Sequence, residues 1–217
     1  MKTDIRVAGS YFIGLLLLSS FMGCASDGTS GGTALTTGGE AANGAATASE
    51  RADLTFIREE EKLAHDVYVS LGGKWDLPVF SSIPPSESGH MAAIGTLLVA
   101  YGIPDPITND VANQFSDPAL QALDTQLLAK GAVSVDEALQ VGALIEEYDL
   151  VDIGARRAHT TKPDILATYD QLTLGSRNHL RGFHSQLVAR NQTYEPQFLS
   201  QAEYDAIVSS AHEKGAP

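Results

Sequence analysis

The stretch Phe56-Ile57-Arg58-Glu59-Glu60-Glu61-Lys62-Leu63-Ala64-His65-Asp66-Val67-Tyr68-Val69-Ser70-Leu71 decides the fold. Its apolar members, Phe56, Ile57, Leu63, Ala64, Val67, Tyr68 and Leu71, recur every three to four positions. At about 100° per residue they share one face of a helix. The same spacing governs the chain from Asp53 onward, with no sustained β-branched alternation, so the sequence predicts an all-α fold. Helices are expected near 54–72, 85–102, 117–130, 134–156, 163–174, 176–191 and 199–212. The breaks fall at Gly72-Gly73, Pro84-Pro85, Gly102 to Pro106, Gly131 and Pro163, all turn or terminus chemistry. Ser134 with Glu137 three residues on has the form of a capping box. Four long helices with additional short ones point to a bundle over residues 53–213.

Ionisable residues occupy faces that such a bundle buries. On the first helix Glu60 lies near the middle of the apolar stripe and Glu61 at its edge, while Glu59 points away. On the second, Glu87 and His90 fall inside the stripe of Met91, Ala93, Ile94, Leu97, Leu98 and Tyr101; the Glu-x-x-His spacing puts carboxylate and imidazole one turn apart on one face. On the helix over 134–156, Asp149 and Asp152 lie in the stripe, Glu146 at its margin and Glu147 opposite it. Near the end of the chain His179 and His184 flank Leu180, Phe183 and Leu187. Unpaired carboxylates facing a core would cost several kcal/mol each unless protonated, paired or bound to a cation. With imidazoles among them, a divalent metal is the economical explanation. His65, on a polar flank, and His159, in a loop, are expected to be solvated, and Trp75 and Pro78 to pack the turn between the first two helices.

Composition narrows the chemistry. The 217 residues carry 14 Lys+Arg against 27 Asp+Glu, a formal charge of −13, which argues against a nucleic-acid partner. A single cysteine, Cys24, excludes an internal disulfide framework and a thiolate metal site within one chain. Any metal would rest on carboxylates and imidazoles, a donor set that suits iron or manganese and leaves zinc open.

The amino terminus reads as an address. Lys2 and Arg6 precede the apolar run Tyr11-Phe12-Ile13-Gly14-Leu15-Leu16-Leu17-Leu18, which falls well short of the ~20 residues of a spanning helix and has the pattern of a secretory signal over residues 1–23. Gly23-Cys24 resembles the bacterial lipoprotein processing site, so Cys24 is the expected lipidation site; the other reading is an ordinary signal peptide cut nearby, leaving a free thiol. Gly, Ala, Ser and Thr supply 20 of the 25 residues from Ser26 to Glu50, leaving no periodic apolar face. Residues 24–52 are therefore expected to be a flexible tether with a root-mean-square span of ~25–30 Å. The expected location is the bacterial cell envelope, with the domain held to the membrane through the lipid and facing the periplasm or exterior.

Carboxylates and Glu-x-x-His motifs projecting inward from four helices are the recurrent design of di-iron bundles, and the chain resembles the ferritin-like superfamily, rubrerythrins and bacterioferritins included. Residues 58–68, 142–149 and 175–181 also resemble domain-of-unknown-function family 2202. The superfamily's first-helix pattern Glu-x-x-Ala-x-x-x-Tyr falls on Glu61, Ala64 and Tyr68, its second-helix motif on Glu87 and His90, and the third-helix Glu-x-x-Glu on Glu146 and Asp149. The last Glu-x-x-His becomes Ser176-x-x-His179, with Arg177 adding a positive charge. The resemblance thus implies Glu61, Glu87, His90, Glu146 and His179 as metal ligands, Asp149 as auxiliary ligand or nearby partner, and Tyr68 as a hydrogen-bonding residue of the site.

Serine does not replace a bridging carboxylate, so three outcomes stay open. They are a dinuclear site with Asp149 or Glu60 compensating, a mononuclear site, and a metal-free polar core in which Arg177 neutralises Glu87 or Glu146. The first function expected is an envelope-tethered non-haem iron or manganese protein that oxidises ferrous iron or handles peroxide. Without a second cysteine to build a rubredoxin-like module, its electrons would come from an external donor or the substrate. The second is a non-enzymatic structural or binding lipoprotein whose bundle has lost the metal. A homodimer is compatible with either.

Overall fold

A computed structural model describes residues 44–214; the expected signal peptide, Cys24 and most of the expected tether lie outside the described residues. The described chain is all-α. Its order is α1 (Ala48–Trp75), α2 (Pro78–Ser82), α3 (Pro84–Ala100), α4 (Pro118–Gly131), α5 (Val135–Arg156), a 3-10 turn (Arg157–His159), α6 (Pro163–Ala189) and α7 (Gln201–Val208). No helix among the described residues is long and apolar enough to cross a membrane.

Local chemistry sets the helix ends. Thr47 caps α1 by accepting from the Glu50 amide while the Glu50 carboxylate takes the Thr47 amide, a capping box that starts the helix at Ala48, inside the stretch expected to be tether. Composition missed this because the cap residues sit at the end of a run of small residues with no apolar period. Helix α1 also runs through Gly72-Gly73 and ends at Asp76, whose φ of 47° is left-handed. Asp117 and Ser200 cap α4 and α7. Ser134 accepts from the Glu137 amide as expected, though the Glu137 carboxylate turns to Lys130 rather than back to the cap.

The segments 163–174 and 176–191 are not two helices but one, α6. Gly175 does not interrupt α6; it leaves room for the His90 side chain of α3 against that helix. A Cβ there would stand 2.4 Å from His90 Nε2 and Cε1. Gly142 has the same role between α5 and α6, where a Cβ would meet the Phe183 ring at 2.2 Å.

Helix α1 packs on α3 and α5, and α6 packs on α5 and α3, so the four long helices each touch two others; α4 lies against α1 and α5, and α7 against α6. Two apolar clusters fill the interior. One gathers Leu63, Val67, Tyr68, Phe80, Leu139, Leu180 and Phe183, the other Leu54, Ile57, Ile94, Leu98, Ile153, Tyr169 and Leu172. Full burial of each aliphatic or Phe side chain contributes about 1.5–3 kcal/mol. On α1, α5 and α6 buried polar residues come between the two clusters in sequence, Glu60 and Glu61, Glu146 and Asp149, and Ser176 and His179; on α3 Glu87 precedes the residues of the second cluster.

Two carboxylates assigned to outer faces are buried. Glu59 accepts from the backbone amides of Ser116 and Asp117 (2.9 Å to the latter), which fixes the start of α4. Glu147 accepts from the amides of Gln197, Phe198 and Leu199 at 2.5–2.9 Å and from the Tyr194 hydroxyl, which pins the approach to α7. A helical wheel cannot show this, because the connections fold back over faces that the isolated helix leaves to water. Lys62 is buried likewise, against Asp66 and the Val111 carbonyl.

Candidate metal centre

Each side chain of the polar layer is aimed by its helix. On α3 the one-turn offset of Glu87 and His90 brings both onto the face turned to α1 and α6. Glu61 reaches them from α1, Glu146 from α5 and His179 from α6. His90 Nδ1 lies 3.0 Å from Glu61 Oε2 and 2.8 Å from Glu87 Oε2. His179 Nδ1 lies 2.8 Å from Glu87 Oε1 and 3.4 Å from Glu146 Oε2. The five residues thus form two groups, Glu61–Glu87–His90 and Glu87–Glu146–His179, each with ligand atoms within 4.8 Å of one another. Glu87 belongs to both, one oxygen to each.

His90 Nδ1 and Glu61 Oε2 pair with each other, but other atoms of the two groups converge without satisfying one another. Glu61 Oε1, Glu87 Oε1, Glu146 Oε2 and His179 Nδ1 are buried yet make no directed hydrogen bond, even though the last approaches Glu87 Oε1 closely. Buried polar atoms are normally paired. Donors of one ion bound at ~2.1 Å stand ~3–4 Å apart, so atoms near each other but aimed past each other match a set built around a cation. The residues fit a divalent metal on this observation; an all-oxygen-and-imidazole set suits iron or manganese and leaves zinc open.

The carboxylates and imidazoles of this layer also charge one another. Burial pushes Glu87 up, but His179 and His90 outweigh it and hold the carboxyl at about 2. Burial wins at Glu146, which rises to about 7 against the pull of His179, and it also raises Glu61 against His90. Burial would lower both imidazoles, yet the facing carboxylates carry His90 to about 10 and His179 to about 11. Without a cation, protons on the two histidines take its place.

Around the centre, Tyr68 donates its hydroxyl to Glu146 Oε1 at 2.6 Å, and burial next to Glu146 and Glu87 raises its own pKa well above 10. Asp149 is buried but belongs to neither group; burial and the charges of Glu60, Glu61, Glu146 and Glu87 push it well above the carboxylate range. Glu60 is buried with both oxygens unpaired, and burial, with Asp152 next, raises it strongly. Ser176 donates to the Leu172 carbonyl of its own helix at 3.2 Å and brings no oxygen to the centre.

Arg177 does not neutralise Glu87 or Glu146, as the metal-free outcome required; it pairs with Glu213 at the surface, because its position on α6 turns it away from His179. His65 and His159 are paired rather than simply solvated, with Asp66 at 2.9 Å and Asp53 at 2.8 Å. Trp75 does pack near the first turn, donating Nε1 to the Gly131 carbonyl at 2.8 Å. Gly175 is a site residue the sequence disguised; a glycine inside an unbroken apolar period is the signal of close approach that could have exposed it.

The family described as "Uncharacterized protein domain (DUF2202)" matches residues 50–211, which span α1 to α7. The uncharacterized protein MJ0754 of the archaeon Methanocaldococcus jannaschii is 44% identical over 166 residues, covering 76% of this chain and 90% of that protein. The crystal structure of hypothetical protein MJ0754 from Methanococcus jannaschii superimposes with a TM-score of 0.76 at 43% identity, covering 77% of this chain and 96% of that one. A match over this much of the chain, joined to the polar layer carried by the same segments, shows that the chain belongs to the DUF2202 family.

Proposed function

We propose that the protein is a ferritin-like four-helix bundle whose polar layer holds two iron or manganese ions, and that it oxidises ferrous iron or handles peroxide. The observation that carries this reading is the pair of donor groups sharing Glu87, with buried oxygens and a nitrogen left unsatisfied. Neither Asp149 nor Glu60 is needed to compensate for Ser176, since Glu87 already joins the groups through its two oxygens.

The residues divide the work. Glu61, Glu87, His90, Glu146 and His179 hold the metal. Tyr68 fixes one oxygen of Glu146 and leaves the other turned to the centre. Loading requires His90 and His179 to lose the protons that the carboxylates hold on them. Asp149, next to the ligands in the same buried layer, has its affinity for a proton raised by burial and by the charges of Glu60, Glu61, Glu146 and Glu87. A bound iron or manganese ion supplies Lewis acidity and a change of oxidation state at open coordination positions. Electrons come from an external donor or from the substrate, since Cys24 is the chain's one cysteine.

In this reading Cys24 is lipidated and the domain works at the cell envelope, alone or as a homodimer. The alternative of a metal-free structural or binding lipoprotein loses Arg177 as counter-charge, since Arg177 is committed to Glu213, and would rest on protonated His90 and His179 instead. Protein loaded anaerobically with ferrous iron and then exposed to air is expected to hold about two ions per chain, as a carboxylate-rich pair of sites does. Less than one ion per chain overturns the reading.

A further inference from the structure

A cleft of about 530 Å³ runs between the start of α3 and the middle of α6, and His90, Gly175 and His179 form its inner end. The missing side chain at Gly175 lets the His90 ring lie directly against α6 at the inner end of the cleft. Ser86 and Gln171 line its walls, and His212 and Glu213 stand at its rim. The rim is fastened to α6 by three side chains. Arg177 Nε donates to Glu213 Oε1 at 2.7 Å, and Arg181 Nη2 to the same oxygen at 2.6 Å. Asn178 grips the backbone of Glu213 twice, donating to its carbonyl at 3.0 Å and accepting from its amide at 2.9 Å.

The charge of this passage differs from that of the molecule. The chain carries −13 overall. The one carboxylate lining the cleft, Glu213, is shared by two guanidinium groups, and its other polar lining is hydroxyl, amide and imidazole. Arg177 and Arg181, which do not line the cleft themselves, neutralise this rim carboxylate. A hydrated divalent cation finds no free carboxylate along its lining, whereas a small polar molecule meets the Ser86 hydroxyl, the Gln171 amide and the imidazoles at its inner end.

We infer that this cleft is the route by which small non-cationic polar molecules, the oxidant rather than the metal ion, reach the centre, with the clamp of Arg177 and Arg181 on Glu213 setting the charge at its rim. The inference rests on the metal reading of the polar layer and adds to it the class of molecule that enters.

The test uses the full chain with Cys24→Ser, so that one introduced thiol is the only one, in metal-free form. Ser86→Cys places the thiol in the cleft, and Val99→Cys, at a position 83% exposed, serves as reference. Two methanethiosulfonate reagents of similar size, one sulfonate-bearing and one trimethylammonium-bearing, report access. Relative to the reference, the Ser86→Cys thiol is expected to react at least 5-fold faster with the anionic reagent. Arg177→Gln with Arg181→Gln should abolish that ratio, and Glu213→Gln should keep the anionic preference. In iron-loaded protein, azide should cease to perturb the absorption of the centre once the Ser86→Cys thiol carries the sulfonate label.

Equal ratios at the two thiols, or a ratio that survives loss of both arginines, overturns the inference and leaves the metal reading untouched. Charge selection in a protein that binds no metal overturns the metal reading, and the entrance with it.

Discussion

Glu87 Oε1 and His179 Nδ1 lie 2.8 Å apart, both buried, with no directed hydrogen bond between them. Glu87 reaches His90 with its other oxygen at the same distance. Removing Glu87 should therefore disable both donor groups, and removing Glu61 only one. Glu87→Ala is expected to reduce bound iron to below about 10% of wild type, and Glu61→Ala to about half, as loss of direct ligands does. Metal analysis of the purified variants after anaerobic loading decides it; equal loss in both would mean that the two groups do not load separately.

The raised imidazoles make metal-free stability fall with pH. His90 and His179 hold their protons to about 10 and 11 in the folded chain but lose them near 6.5 when unfolded. Their contribution is complete below 6.5 and is gone above 11. Glu146, raised to about 7, acts in the same direction between 4.5 and 7. Glu87, held at about 2, contributes above 4.5 and is lost as pH falls towards 2. The urea midpoint of metal-free protein should decline steadily from pH 7 to 11. Metal binding at pH 7 should release protons, measurable from the dependence of the calorimetric heat on buffer ionisation. A binding heat independent of buffer would contradict the protonated state of the two histidines.

Tyr68→Phe removes the donor to Glu146 Oε1. A buried carboxylate oxygen left without its partner costs about 1–3 kcal/mol. Because Tyr68 holds Glu146 rather than the metal, iron content should remain near wild type while the metal-free protein unfolds at lower urea. Loss of metal without loss of stability would place Tyr68 among the ligands instead.

Gly175→Ala and Gly182→Ala form a matched pair on α6. A Cβ at residue 175 would lie 2.4 Å from His90, whereas one at 182 finds its nearest neighbour at 3.8 Å. The first should displace His90 and weaken iron binding at least 10-fold, with about 1–3 kcal/mol of overpacking strain. The second should bind metal normally and, as Gly to Ala in a helix, gain up to ~1 kcal/mol. Equal affinities would show that His90 yields freely.

Glu147→Gln tests a latch remote from the centre. Its carboxylate takes three backbone amides ahead of α7. Hydrogen bonds to a charged group contribute about 1.5–3 kcal/mol. Amide exchange should quicken through residues 194–208 while the amides of α1 and α3 keep their protection.

Which parts of this were legible depends on whether the cause was local. Spacing of apolar residues along one helix requires nothing beyond that helix, so Phe56 to Leu71 and the run over 134–156 showed the all-α class. The same arithmetic placed Glu87 and His90 on one face, and it put Glu61, Glu146 and His179 at the edges of buried stripes. Glu59 and Glu147 were assigned to water because a wheel has no knowledge of residues 116–117 and 197–199, whose amides cover them. Gly175 looked like punctuation because glycine marks both breaks and close approaches, and only the position of His90 tells which. Arg177 was drawn toward the glutamates by charge alone, when its direction on α6 and the presence of Glu213 settled its partner.

Alone, then, the sequence determined the helices, their buried faces and the residue types with no comfortable place in an apolar interior. The tertiary structure decided which of those residues meet, that Glu87 stands in both groups, and that Ser176 stays out. Periodicity is a property of backbone geometry repeated every turn, whereas a site is fixed by distances between helices, which depend on every side chain packed between them.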